Sequence, residues 1–388
     1  MPGKVKRKYS AELMSFNKKL KRPIYFISEV LPKDYTNEDI LTYFKKFYPF
    51  EWKIICQRYE TYQQKDEFLV KQGKKRRYKH LPPRKYFYSL AVVRNLVSGK
   101  HRKNYNQNFD QEIRNKKLEE LERKRLHKIE KRKDKIEKVK ENLQSVEPYF
   151  LDVYIAAYHI RGNTIDDKIE IFKEIQKYDC KKSNEFFSKL NDAEKNLQIR
   201  QMAFNHLNEK GEYVKLRKKL KGKKKPYMTE RSDFYMTPED LLKRLNEDTI
   251  QSKKEYDIFI SHSSKDSSLV KRIIVALNKH KLNCYCDWTS DNDFLRRELA
   301  SNFTKEVLKK RMSQSKYFLL ISTKNSLESE WVKFERDYYS CRNPQNMLYI
   351  DMDGGDIGGL QKLIYIYDNN EIIWKWKQSH IYIRLWLL

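Results

Sequence analysis

Tyr256-Asp-Ile-Phe-Ile-Ser-His-Ser-Ser-Lys-Asp266 decides how the last third of this 388-residue chain is read. Tyr256–Ser261 is a short apolar run of strand length that ends in a polar turn carrying Ser, His and Asp. Leu269, Val270, Ile273, Ile274 and Leu277 then recur at helical spacing. Further strands are expected at 283–288, 317–322 and 347–352, with helices over 300–314 and 327–340. Strands separated by helices imply a parallel sheet covered on both faces, and such sheets bind ligands at the carboxyl ends of their strands. The polar groups Ser261–Asp266, Asp287–Asp291 and Ser322–Asn325 all fall at those ends, so one cleft can collect them.

The rest of the chain has a different grammar. Formal charge is +29, from 82 Lys+Arg against 53 Asp+Glu. Residues 253–388 account for only about +5 of it, so about +24 belongs to residues 1–252. A basic region of that size suits nucleic acid, an anionic surface or an acidic partner, although Lys-rich composition throughout is the plainer reading. Cys56, Cys180, Cys284, Cys286 and Cys341 form neither a disulfide framework nor a paired zinc signature. Cys284 and Cys286, two apart on an expected strand, read as buried reduced thiols. The N-terminus lacks a signal-peptide pattern, and no run reaches the roughly 18 apolar residues of a spanning helix. A cytoplasmic protein without membrane contact is expected.

Residues 1–22 read as basic and loose, and helical patterning starts at Pro23. Thr36 with Asn37, Glu38 and Asp39 marks a capped helix start, and Ile40, Tyr43, Phe44 and Phe47 line one face. Residues 71–103 are the most basic window. Its Tyr78, Tyr86, Phe87 and Tyr88 could stack on bases, but the run Leu90–Val93 favours a buried strand or helix instead. Residues 108–146 form a charged helix in which Ile129, Ile136 and Leu143 repeat every seven, short of a full coiled-coil pattern. Helical stripes over 150–207 are most simply core. The expected division is a mostly α N-terminal part, with a basic helical region (1–107), a charged helix that admits a coiled coil (108–146), a helical subdomain (147–225) and a linker (226–255). An α/β domain follows at 256–388.

That α/β domain resembles the bacterial Toll/interleukin-1 receptor (TIR) domain family. Four segments in order carry the resemblance: Phe259–Asp266, Cys286-Asp-Trp288 with Leu295-Arg296, Lys309–Ser315, and Ser329-Glu-Trp-Val-Lys-Phe-Glu335. It implies a flavodoxin-like fold and, in the enzymatic branch, cleavage of NAD+ at the nicotinamide–ribose bond in antiphage immunity. Glu335 is then the catalytic residue. Phe259, Ser261, Asp287, Trp288, Arg296 and Trp331 are the residues that contact the substrate, NAD+ is substrate rather than bound cofactor, and no metal is implied. The product is ADP-ribose, linear or cyclic. The N-terminal region gates the activity, through self-association or through a phage-derived trigger or nucleic acid.

The chemistry agrees with that assignment. Breaking the N-glycosidic bond builds positive charge on the ribose, and a nearby carboxylate stabilises it. Turn amides at Ser261–Ser264 suit a pyrophosphate. Without the resemblance, Glu335 reads as a helix glutamate paired with a Lys or Arg, and Trp288 and Trp331 as packing. Two departures stand out: Glu335 is followed by Arg336-Asp337, and residues 360–388 do not read as a usual final strand and helix. They favour the rival reading, a non-catalytic adaptor acting through TIR–TIR contacts. His262 beside Ser261 is not a nucleophile pair, because adjacent strand residues point to opposite faces. Asp351–Asp356 reads as a turn rather than a calcium loop.

Overall fold

The computed structural model describes residues 3–215, 225–247, 250–295, 301–352, 357, 360–362, 364–368, 371–375 and 382–385. The chain divides into two compact units, Met1–Lys135 and Ile136–Leu388. The first is helical: α1 (Lys4–Ser28), α2 (Asn37–Phe47), α3 (Pro49–Lys71), α4 (Pro83–Ser89), α5 (Ala91–Val97), α6 (Gly99–Gln107) and α7 (Gln111–Lys140), the last ending just past the division. Within the lead expected to be loose at 1–22, residues 4–22 are instead part of α1. Phe16, Leu20, Ile24 and Ile27 recur every three or four residues and are buried, a stripe that the intervening lysines obscure. Thr36 and Asp39 form the expected capping box at α2. The apolar run around residue 90 folds as α4 and α5, with Tyr86, Phe87, Leu90, Val93 and Leu96 buried.

The second unit begins with α8 (Phe150–Tyr158), α9 (Ile165–Gln176), α10 (Lys181–Ala193), α11 (Leu197–Glu209) and α12 (Pro238–Asn246). A parallel sheet follows: β1 (Tyr256–Ser261), β2 (Cys284–Tyr285), β3 (Ser315–Ser322), β4 (Met347–Asp351) and β5 (Gln361–Lys362), in the order β2-β1-β3-β4-β5. This is the flavodoxin-like strand order. Helices α13 (Ser267–Lys279), α14 (Asp287–Ser290), α15 (Asn302–Ser313), α16 (Lys324–Glu328) and α17 (Glu330–Ser340) connect the strands. One sheet face packs Ile258, Ile260, Leu319 and Ile321 with Val270, Ile273 and Leu277 of α13. The other packs Phe259, Phe318, Leu320 and Tyr349 with Leu308 of α15 and Val332 and Tyr339 of α17. Residues 364–385 contain an antiparallel sheet of β6 (Ile364–Asp368), β7 (Glu371–Lys375) and β8 (Tyr382–Leu385).

The second strand is shorter than the sequence suggests. Thr289 N and Ser290 N donate to Cys286 O, while Cys286 N donates to Ser290 Oγ, so the chain turns into α14 at once. The outer edge of β2 is not bare. Gln144 Oε1 accepts from Cys284 N at 2.9 Å, and its Nε2 donates to Cys284 O at 2.6 Å. Residues 226–255, read from sequence as a linker, contribute core: Leu241 and Leu245 of α12 pack with Phe294 and Val307.

A buried ionic network ties α9 to the sheet domain. Glu174 Oε2 meets Lys254 Nζ at 2.6 Å and Lys177 Nζ at 2.9 Å. Gln251 donates to both Glu170 and Glu174 and accepts from Arg311 Nη2. Arg311 in turn grips Asp291 with two nitrogens, at 2.7 and 3.1 Å. Bidentate, fully enclosed pairs of this kind fix geometry.

Candidate active site

Glu335 lies on the sheet-facing stripe of α17 with Val332 and Tyr339, at i, i+3 and i+7, which is why a carboxyl in a charged helix ends up buried. Ser329 caps that helix by accepting from Val332 N. Ser261 is the last residue of β1, and its side chain points to the α17 face. Its Oγ donates to Glu335 Oε2 at 2.6 Å, and both residues are buried. Among the described residues no Lys or Arg forms an ion pair with Glu335. Burial raises the Glu335 carboxyl to about 8, the Ser261 hydrogen bond opposes that rise, and the charge of Asp287 adds to it. The unfavourable burial dominates because a hydroxyl replaces little of the lost hydration.

His262, one residue on, points to the opposite face as strand geometry requires. Its Nε2 accepts from Trp288 Nε1 at 2.6 Å and lies 3.8 Å from Asp287 Oδ1. Lys271 stands 5.4 Å over the Trp288 ring. His262, Cys286 and Asp287 bring three ligand-type atoms within 4.8 Å of one another. The indole already occupies the His262 lone pair, and burial pushes the Cys286 thiol well up. The thiol in this trio therefore resists the deprotonation a metal needs.

The turn after β1 is closed onto the one after β3. Asp266 Oδ2 accepts from Thr323 Oγ1 at 2.6 Å, and Asp266 Oδ1 accepts from Asn325 Nδ2 at 2.8 Å. Sequence reading placed these residues at strand ends but gave Asp266 no task. The signal was available, since an Asp five residues past a strand and a Thr-x-Asn after another are natural partners across a switch point.

The structure joins Glu335 to Ser261 and sets Asp287 and Trp288 beside the same strand end. It takes one of the expected contacts out of reach of a ligand. Phe259 is 1% exposed, stacked between Tyr285 (5.1 Å) and Phe318 (5.8 Å), so it is core and cannot stack on a ligand. Trp331, four residues before Glu335 on α17, is 38% exposed and edge-on to Phe334. Arg296 lies outside the described residues.

Five parallel strands in the order 2-1-3-4-5, with a buried acid held by a hydroxyl at the carboxyl end of the first strand, define a doubly wound α/β domain with its polar site at the switch of strand order. Residues 258–369 match the TIR domain. The chain is also 50% identical over 374 residues, covering 96% of itself and 98% of the relative, to a protein of Cytobacillus dafuensis named putative cyclic ADP-D-ribose synthase TIR2. It belongs to this family of TIR-domain proteins. Shorter matches are to the probable 2′ cyclic ADP-D-ribose synthase TcpO of Methanobrevibacter olleyae and the probable 3′ cyclic ADP-D-ribose synthase ThsB′ of Bacillus cereus (strain MSX-D12). The first is 32% identical over 87 residues, 22% of this chain and 24% of the relative. The second is 31% identical over 86 residues, 22% of this chain and 44% of the relative. No solved structure matches the chain.

Proposed function

We propose that this protein cleaves NAD+ between nicotinamide and ribose and closes the ADP-ribose into a cyclic product. The reading is carried by the buried Glu335–Ser261 pair in a chain that matches a named cyclic ADP-D-ribose synthase along nearly its whole length. Nicotinamide leaves as a neutral molecule with the electron pair of the broken bond, and C1′ becomes an oxocarbenium-like centre. A hydroxyl of the same ADP-ribose adds to C1′ and loses its proton in cyclisation; water does so in hydrolysis.

Glu335 faces that centre as an anion. In the free protein the carboxyl is mostly neutral below about pH 8, and a cationic ribosyl group arriving beside it favours the ionised form. Ser261 holds one oxygen in place, leaving the other for ribose hydroxyls. Asp287 and Trp288 border the same strand end. We further read the helical region 1–255 as the part that receives a trigger and drives self-association, in a defence role against phage. Among the described residues no helix is long and apolar enough to cross a membrane.

The test is NAD+ turnover by the full chain and by Glu335→Gln over a concentration series, with products separated by chromatography. Loss of at least about a hundredfold in turnover is expected for the variant, the scale of removing one preorganised electrostatic group. Equal turnover by an active wild type and the variant removes Glu335 from the chemistry. A linear product alone removes cyclisation.

A further inference from the structure

Between Glu67 and Asp110 the sequence has no acidic residue, yet Lys and Arg recur throughout. The first part of this stretch, the loop that follows α3, is rigidly held. Asp66, buried at the end of α3, accepts backbone N–H groups from Arg77, Tyr78 and Lys79 at 2.7, 2.9 and 2.7 Å. Burial opposes ionisation of Asp66, but these three donors overcome it and hold the carboxyl below its ordinary value. The one acid at the loop is thus consumed by its backbone, and the side chains of Lys74, Lys75, Arg76 and Arg77 are exposed.

The fold then adds more charge of the same sign. Tyr9 of α1 donates to or accepts from His80 Nδ1 at 2.6 Å and packs edge-on against Tyr62 (4.7 Å) and Tyr78 (5.2 Å). This aromatic cluster anchors the start of α1, with exposed Lys6, Arg7 and Lys8, to the basic loop. Among the described residues, none of Lys6, Arg7, Lys8, Lys74, Lys75 and Arg77 has a carboxylate oxygen within 4 Å. The acids beside these segments are engaged elsewhere, Asp66 by the loop backbone and Glu12 by Tyr62 Oη at 3.3 Å, so the exposed cations favour an anion on this face.

We propose that this face binds the phosphodiester backbone of duplex nucleic acid, without regard to sequence. The aromatics that could stack on unpaired bases are spent in packing, with Tyr86 4% and Phe87 0% exposed. What the loop and the start of α1 chiefly expose is cation, which suits phosphates rather than bases. A membrane surface is a poorer fit: the exposed apolar residues Val5, Phe68, Val70 and Leu81 are spread over α1, α3 and the loop, and Phe68 and Val70, two apart on α3, point in different directions, giving no inserting stripe. The proposal stands apart from the NAD+ reaction.

Fluorescence anisotropy with the full chain and labelled duplexes of about 20 base pairs, in two unrelated sequences, tests it through the salt dependence of affinity. Both duplexes are expected to bind alike and to weaken by about a hundredfold between roughly 50 and 200 mM salt. Lys74→Glu/Lys75→Glu/Arg77→Glu is expected to flatten the log–log salt slope by about 3. A control with the same charge change on exposed α7 positions, Lys131→Glu/Lys133→Glu/Lys135→Glu, is expected to keep most of the slope. Matching thermal melts of the two variants exclude misfolding as the cause. Equal losses in both variants, absence of duplex binding, or binding to phosphatidylserine vesicles in place of duplex each overturns the proposal.

Discussion

Two buried glutamates in the second unit have opposite surroundings. Glu174 on α9 is enclosed with Lys177 and Lys254 against it. Burial works against its ionisation, but the two ammonium groups outweigh burial and hold the carboxyl well below its ordinary value. Glu335 on α17 has only a hydroxyl, and burial raises it to about 8. A buried acid that is supplied with cations is part of the frame. One that lacks them carries an unmet demand for positive charge, which in the proposed reaction a cationic ribosyl group meets. The difference distinguishes scaffold from site more clearly than burial does.

The largest effect expected from this comparison is a gain in stability on losing the site. Glu335 has a folded value above its ordinary 4.5, so its favourable contribution is present below about pH 4.5 and is lost as pH rises through about 8. Glu335→Gln escapes that loss. Its stability should equal that of wild type near pH 4.5 and exceed it by several kcal/mol, on the order of 4–5, above pH 8. Urea unfolding at pH 5 and pH 9 measures this; equal midpoints at pH 9 mean that the carboxyl is not raised. Glu174 has the opposite sign, its contribution being present above about 4.5 and lost as pH falls.

Cutting into the frame should do the reverse. Lys254→Met leaves Glu174 buried with one cation fewer and is expected to cost about 3 kcal/mol at neutral pH. A loss under about 1 kcal/mol, read from the same unfolding curves, would show that Lys177 suffices. The smallest effect is kinetic. If the free protein must ionise Glu335, kcat/KM for NAD+ rises about fifteenfold from pH 6.5 to 8 and about twofold more before levelling above roughly pH 9. Ser261→Ala moves the rise to higher pH, because it removes the hydrogen bond that favours the anion. A flat profile places the required ionisation after binding.

The sheet was legible because its strands are short apolar runs and its helices amphipathic. The apolar run Tyr256–Ser261 matches β1 to the residue, whereas the contact of Ser261 with Glu335, far along the chain, exists only in the fold. Phe259 differs from the expectation because residue type says what a side chain can do and not whether it is covered. The alternation that sends Ser261 to Glu335 also sends Phe259 to the core on the same face, two residues deeper into the sheet. α1 was missed because lysines fill three sides of its apolar stripe. The Arg311–Asp291 pair was invisible for another reason: partners 20 residues apart across a fold leave no local pattern.

Gln144 has a consequence for how copies of this protein can meet. A sheet that ends in a bare strand offers its backbone to any passing extended chain, and growth by strand addition needs no further invitation. At Cys284 that offer is withdrawn, since one glutamine side chain fills both the donor and the acceptor position. The β2 border of the sheet is sealed from within. The self-association proposed above, where it uses this border, must therefore proceed through side chains and helices, contacts that can be released, rather than through a continuous backbone seam that would lock the chains together.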